Sequence, residues 1–79
     1  MQTENLVDHL VKSMVSEPDA VRVEAKAERD GTVYLVTVAA GDVGKMIGKN
    51  GRVISALRNV VGAVAAKGKK RAFVKVVTD

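Results

Sequence analysis

Residues 46–54 read Met46-Ile47-Gly48-Lys49-Asn50-Gly51-Arg52-Val53-Ile54, and the fold turns on this stretch. Upstream, Gly41-Asp42 breaks a preceding run, and Asp42 can cap a short helix from Val43 to Ile47. Gly48 suits the left-handed close of that helix, and Gly51 the start of the next. From about Arg52 to Ala66 the apolar residues recur at helical spacing. The stretch is therefore predicted to be a sharp bend between two helices.

Working back from the bend, Val33-Tyr34-Leu35-Val36-Thr37-Val38-Ala39-Ala40 holds no charge and reads as a central strand. Before it, Val21, Val23, Ala25 and Ala27 alternate with Arg22, Glu24, Lys26 and Glu28, the period-two pattern of a half-buried strand. Arg29-Asp30-Gly31-Thr32 supplies an Asp-Gly turn, so the two strands should be antiparallel. At the start, Thr3 can cap a helix carrying Leu6, Val7, Leu10, Val11 and Met14 on one face, stopped by Pro18. His9 falls beside that face and is expected at the surface.

Downstream, Lys67-Gly68-Lys69-Lys70-Arg71 is predicted to be a basic loop. Ala72 to Val77 is a last strand with Val74 and Val76 inward and Lys75 outward. A helical crossover joins the second strand to the third, so those two should be parallel. The expected fold is α+β: one domain over 1–79, a two-layer sandwich in the order α-β-β-α-α-β, its three-stranded mixed sheet covered by helices on one face.

The chain has 79 residues, no Cys, one His and a net charge of +4. Without Cys there is no disulfide, thiol catalysis or thiolate metal site, and no metal or other cofactor is expected. No apolar run approaches a membrane span and no signal peptide is evident, so a cytoplasmic location and no membrane partner are expected. The charge is lopsided: residues 1–40 sum to −3 and residues 41–79 to +7. A positive side on a small domain is the footprint of a polyanion partner. Tyr34 and Phe73 are the only aromatic residues, which argues against modules that stack bases on aromatic platforms.

The bend can meet such a partner. Five of the seven glycines lie between Gly41 and Gly62. Gly48 and Gly51 let a ligand approach the backbone. The helix opening at Arg52 offers free N–H groups and a positive dipole end. Lys49 adds an ammonium and Asn50 an amide in a turn it tolerates. Together they make a clamp for a sugar-phosphate strand. Neither the P-loop nor the dinucleotide spacing fits: no Gly stands five positions after Gly41 or Gly44, and position 46 is Met. An enzyme is disfavoured, since no carboxylate pair or nucleophile lies near the glycines. A helix-turn-helix is disfavoured by a largely aliphatic second helix.

The run Ile47-Gly48-Lys49-Asn50-Gly51-Arg52-Val53-Ile54 resembles the KH-domain signature, a GxxG loop leading into a helix. The element order resembles the bacterial type II arrangement. Over its full length, including Gly41-Asp42-Val43-Gly44-Lys45 and Gly51 to Arg58, the chain is similar to the single-domain KhpA family. Met46 departs slightly, an aliphatic Val or Ile being commoner there. The resemblance implies a groove for single-stranded RNA, with a role in RNA chaperoning or post-transcriptional regulation. Val43, Gly44, Ile47 and Ile54 would form its floor. Gly48, Lys49, Asn50 and Gly51 would hold phosphates. Lys45, Arg52 and the basic loop with Lys69, Lys70 and Arg71 would add charge. A sheet edge would form the other wall together with that loop.

A second surface is expected on the long helix. Val53, Leu57, Val60 and Val64 read as one apolar stripe, with Ile54 and Val61 beside it. The opposite side carries Ser55, Asn59, Gly62 and Ala66, small enough for another helix to approach, and suggests a homodimer. The resemblance also implies self-association and pairing with a larger KhpB (Jag)-like KH protein. The competing reading is an interaction subunit whose fold serves mainly to dimerise or recruit.

Overall fold

The computed structural model describes residues 3–77. Helix α1 spans Thr3–Met14, strand β1 Arg22–Glu28 and strand β2 Gly31–Thr37; helix α2 spans Val43–Ile47, helix α3 Arg52–Lys67 and strand β3 Ala72–Val76. The strands lie in the order β1-β2-β3. β1 and β2 are antiparallel, with Glu28 opposite Gly31. β2 and β3 are parallel, with Tyr34 opposite Val74. The expected α+β sandwich and its mixed sheet are therefore present. No described helix is long and apolar enough to cross a membrane.

The core lies between the sheet and the helices. Tyr34, Val36 and Val74 point up from the sheet, while Val7 and Val11 of α1, Met46 of α2, and Ile54, Leu57 and Val61 of α3 point down onto them. Alternation along β2 and β3 does the sorting: Val33, Leu35, Phe73 and Lys75 fall on the side that carries no helix. Lys75 is exposed and Val74 buried, as the period-two reading required. His9 is exposed.

Several local expectations are corrected. The hairpin turn is Arg29-Asp30, and Gly31 already belongs to β2. Gly31 is needed for a different reason: a Cβ there would lie 2.6 Å from the Arg71 carbonyl oxygen, which accepts the Thr32 N–H at 3.0 Å. Ala25 and Ala27 are exposed, Ala25 lining an open hollow with Thr3 and Glu4 at the first turn of α1. Lys67 extends α3 by one residue, and β3 ends at Val76 rather than Val77.

Two corrections bear on function. Asp42 precedes α2 without capping it through its side chain. The carboxylate turns back instead and accepts the N–H of Ser16 and of Glu17, each at 3.1 Å. Val60 was expected to face inward and is 48% exposed. The inward stripe of α3 is Ile54, Leu57, Val61 and Ala65. Val60 lies at its margin, where it looks out beside α1 instead of under it.

Candidate nucleic-acid interface

α2 delivers its buried side chain, Met46, to the core and leaves Ile47 on the surface at 40% exposure. The helix closes with the Gly48 N–H bonded to the Gly44 carbonyl at 2.8 Å. Gly48 then takes φ 67°. A Cβ there would lie 2.4 Å from Cγ2 of Val53, so position 48 excludes every side chain on two counts. The chain makes a single tight turn, Lys49–Gly51, in which Asn50 has φ 56°. Gly51 follows at φ 75° and opens α3. Asn tolerates this left-handed geometry better than most side chains do.

Among the described residues no side chain caps the start of α3. Its first N–H groups therefore lack a side-chain partner, and they carry the positive end of a 16-residue dipole. Asn50 and Arg52 are exposed around this end, and Gly48 and Gly51 are half-buried. Gly44 is exposed one turn back on α2, and no atom would meet a Cβ there within 4 Å. Gly44, Ile47, Gly48 and Asn50 thus form one accessible surface. The side chain of Lys49 lies outside the described part of the structure.

The remaining expected residues divide. Ile54 is 7% exposed and belongs to the core; Val43 is half-buried against it. Lys45 points away from the bend. Its ammonium contacts the Ser16 hydroxyl and lies 3.8 Å from Oδ1 of Asp42. Asp42 is itself buried at 2% exposure. The Ser16 N–H foremost holds its carboxyl below the ordinary value of 3.8, against the opposing effect of burial. This carboxylate ties the segment after α1 to the start of α2, which fixes where the bend sits.

Lys69, Lys70 and Arg71 are not gathered at the bend. They follow the last turn of α3, and a helix of 16 residues is about 24 Å long. The two cationic groups stand at opposite ends of it. A residue that sequence reasoning missed lies between them. Arg58, two turns into α3, donates from Nε to the Val74 carbonyl at 3.0 Å. It thereby spans the cleft between α3 and the free edge of β3. A charged residue flanked by Ala56, Leu57, Asn59 and Val60 could have been singled out only from the register of α3 against β3.

Of the expected dimer residues, Ser55, Asn59 and Ala66 are exposed and Gly62 is half-buried. No atom of the chain lies within 4 Å of a Cβ built on Gly62, so nothing within one copy requires glycine there. Around the helix from them, Leu10 and Met14 of α1 and Val53, Ala56 and Val60 of α3 line an apolar groove of about 350 Å³.

A family model described as "KhpA/KhpB, KH domain" matches residues 4–76. The chain is 48% identical over 65 residues to the RNA-binding protein KhpA of Streptomyces coelicolor, covering 82% of each. It is 39% identical over 72 residues to that of Oceanobacillus iheyensis, covering 91% of this chain and 96% of the relative. To that of Streptococcus pneumoniae it is 37% identical over 76 residues, covering 96% and 92%.

Proposed function

The chain belongs to the KhpA/KhpB KH-domain family, and from that premise we propose that it is an RNA-binding protein that holds a single strand at the Gly48–Gly51 turn. The observation that carries the reading is the start of α3, uncapped and dipole-positive behind two glycines. Phosphate oxygens would accept from the exposed N–H groups and from the Lys49 and Asn50 side chains. Ile47 gives the neighbouring base an aliphatic surface. Arg58 and the β3 edge form the opposite wall. Ile54 and Val43 support that floor from beneath. Non-catalytic binding of this kind suits an RNA chaperone or post-transcriptional regulator acting in the cytoplasm.

Lys49→Asp combined with Asn50→Asp tests the reading. Asn50 is exposed and neither change touches the two glycines that set the turn, so the fold should survive, as circular dichroism would confirm. Binding of a labelled, unstructured single-stranded RNA should be lost. Wild-type binding should weaken with salt, by about 0.7 log units per log unit of salt for each phosphate contact. An unchanged affinity in the double variant would favour the interaction-subunit reading.

The working form is a homodimer in this reading, able to exchange a copy for a larger KhpB-like KH protein. Two accessible faces of α3 support it: on one, Asn59, Gly62 and Ala66 are small or short, and on the other the groove at Val60 and Ala56 is apolar. Four nucleotides per groove confer little affinity, and two linked grooves raise it through effective concentration. Val60→Glu should yield monomers in sedimentation; a wild type that is monomeric at micromolar concentration removes the dimer.

A further inference from the structure

The far end of α3 carries a second cationic group, and its construction goes beyond a solvated turn. The helix closes in a Schellman arrangement: the Lys69 N–H bonds the Ala66 carbonyl at 2.9 Å, and the Lys70 N–H bonds the Ala65 carbonyl at 3.0 Å. The left-handed position of that motif, where glycine is usual, is occupied by Lys69 at φ 59°. Gly68 stands beside it in an ordinary conformation. Lys69 thus accepts a backbone strain that glycine would not bear, and sets its charge on the turn.

The β1–β2 hairpin is bolted to this turn. The Arg71 carbonyl accepts the Thr32 N–H, and Gly31 lies so close to Arg71 that no side chain fits between them. That approach brings Arg29 onto the same concavity as Lys69, Lys70 and Arg71, a hollow of about 560 Å³. Glu28 and Asp30 share the rim. Among the described residues, neither makes an ion pair with the four cations, the ion pairs present being Lys12–Asp8 and Lys45–Asp42.

We propose that Arg29, Lys69, Lys70 and Arg71 form a separate phosphate-binding site, which takes hold of RNA only when the strand is long enough to reach from the Gly48–Gly51 turn to the other end of α3. The two ends are about 24 Å apart. A strand at stacked spacing covers that in about seven nucleotides. The inference rests on RNA being held at the glycine turn and adds a length requirement to it. Four nucleotides, the complement of one KH groove, engage the turn alone. A longer strand engages both.

The test compares two unstructured single-stranded RNAs, one of four nucleotides and one of about twelve, the latter exceeding the seven-nucleotide span, against three proteins. In the first, Arg29, Lys69, Lys70 and Arg71 are all changed to Ala; the second carries Lys69→Gly alone; the third is the wild type. The fourfold variant should lose roughly tenfold or more on the long strand, with its salt dependence shallower by about 2–3 log units per log unit. On the short strand it should match the wild type. Lys69→Gly keeps the backbone geometry and removes one cation. It should lose part of the long-strand affinity without any loss of thermal stability, which keeps the test valid if the fourfold variant fails to fold. Equal losses on both lengths would mean one continuous groove and overturn the proposal. No loss on either length would leave the hollow to an acidic protein partner or to solvent, and also overturns it. A wild type that binds neither length would instead remove the reading on which the proposal rests.

Discussion

The two turns that bound α3 use the same left-handed backbone and different residues. At its start, Gly48, Asn50 and Gly51 have φ of 67°, 56° and 75°; at its end, Lys69 alone does, at 59°. At the start, glycine stands where geometry demands it. At the end, glycine stands one residue too early, at φ −91°, and a lysine takes the strained position. A glycine in the sequence therefore marks necessity in the first turn and not in the second. In the proposed reading the first turn bares backbone to phosphate and the second presents side-chain charge.

Substitution at Gly48 breaks this contrast most severely. Gly48→Ala forces a Cβ into Val53 at positive φ, and it should cost about 1–3 kcal/mol or more. RNA binding should fall with it, even at temperatures where the protein stays folded. Thermal melting and RNA titration on the same sample check both.

Asp42→Ala comes next. It leaves the Ser16 and Glu17 N–H groups without the acceptor they have now, so the melting temperature should drop by several degrees and the start turn should lose its fixed position. The same tether has a pH signature. The folded carboxyl titrates below its ordinary value of 3.8. Its contribution is therefore complete above the ordinary carboxylate range and is lost as pH falls through the lowered value. The wild-type protein should destabilise below about pH 4 more than Asp42→Ala does.

At the other end the expected effects are smaller and of opposite sign. Lys69→Gly should stabilise the protein by about 0.5–1 kcal/mol, by removing the cost of a side chain at positive φ. Gly68→Ala should change stability by no more than about 0.5 kcal/mol. Its Cβ would rest 3.6 Å from the Ala65 carbonyl, an ordinary contact. A destabilising Lys69→Gly, or a severe Gly68→Ala, would erase the distinction between the turns.

Much of this architecture was legible in residue order. Period-two alternation from Val21 and in Ala72–Val76, a charge-free central run and a glycine-broken pair of helices led to the sheet order and strand directions found. The bend itself was legible because Gly48 and Gly51 answer a purely local demand. What escaped were properties that depend on distant partners. Asp42 reads as a cap from its neighbours, yet its acceptors are used by a segment 26 residues earlier. Val60 shares a helical stripe with Leu57, and only the position of α1 decides which of them is covered. Lys69 to Arg71 and the glycine turn belong to one basic half of the chain. The length of α3, not their composition, sets them apart. Arg58 acquires a role only once β3 is placed beside α3.

The central claim is that phosphates of a single strand sit on the exposed amides at the start of α3. Amide chemical shifts measured by NMR during titration with a four-nucleotide RNA test it most directly. The largest shifts should fall on Gly48, Asn50, Gly51 and Arg52, with Lys69 to Arg71 unmoved. Shifts confined to the helix-free side of the sheet or to the outward side of α3, with the glycine turn silent, would contradict it.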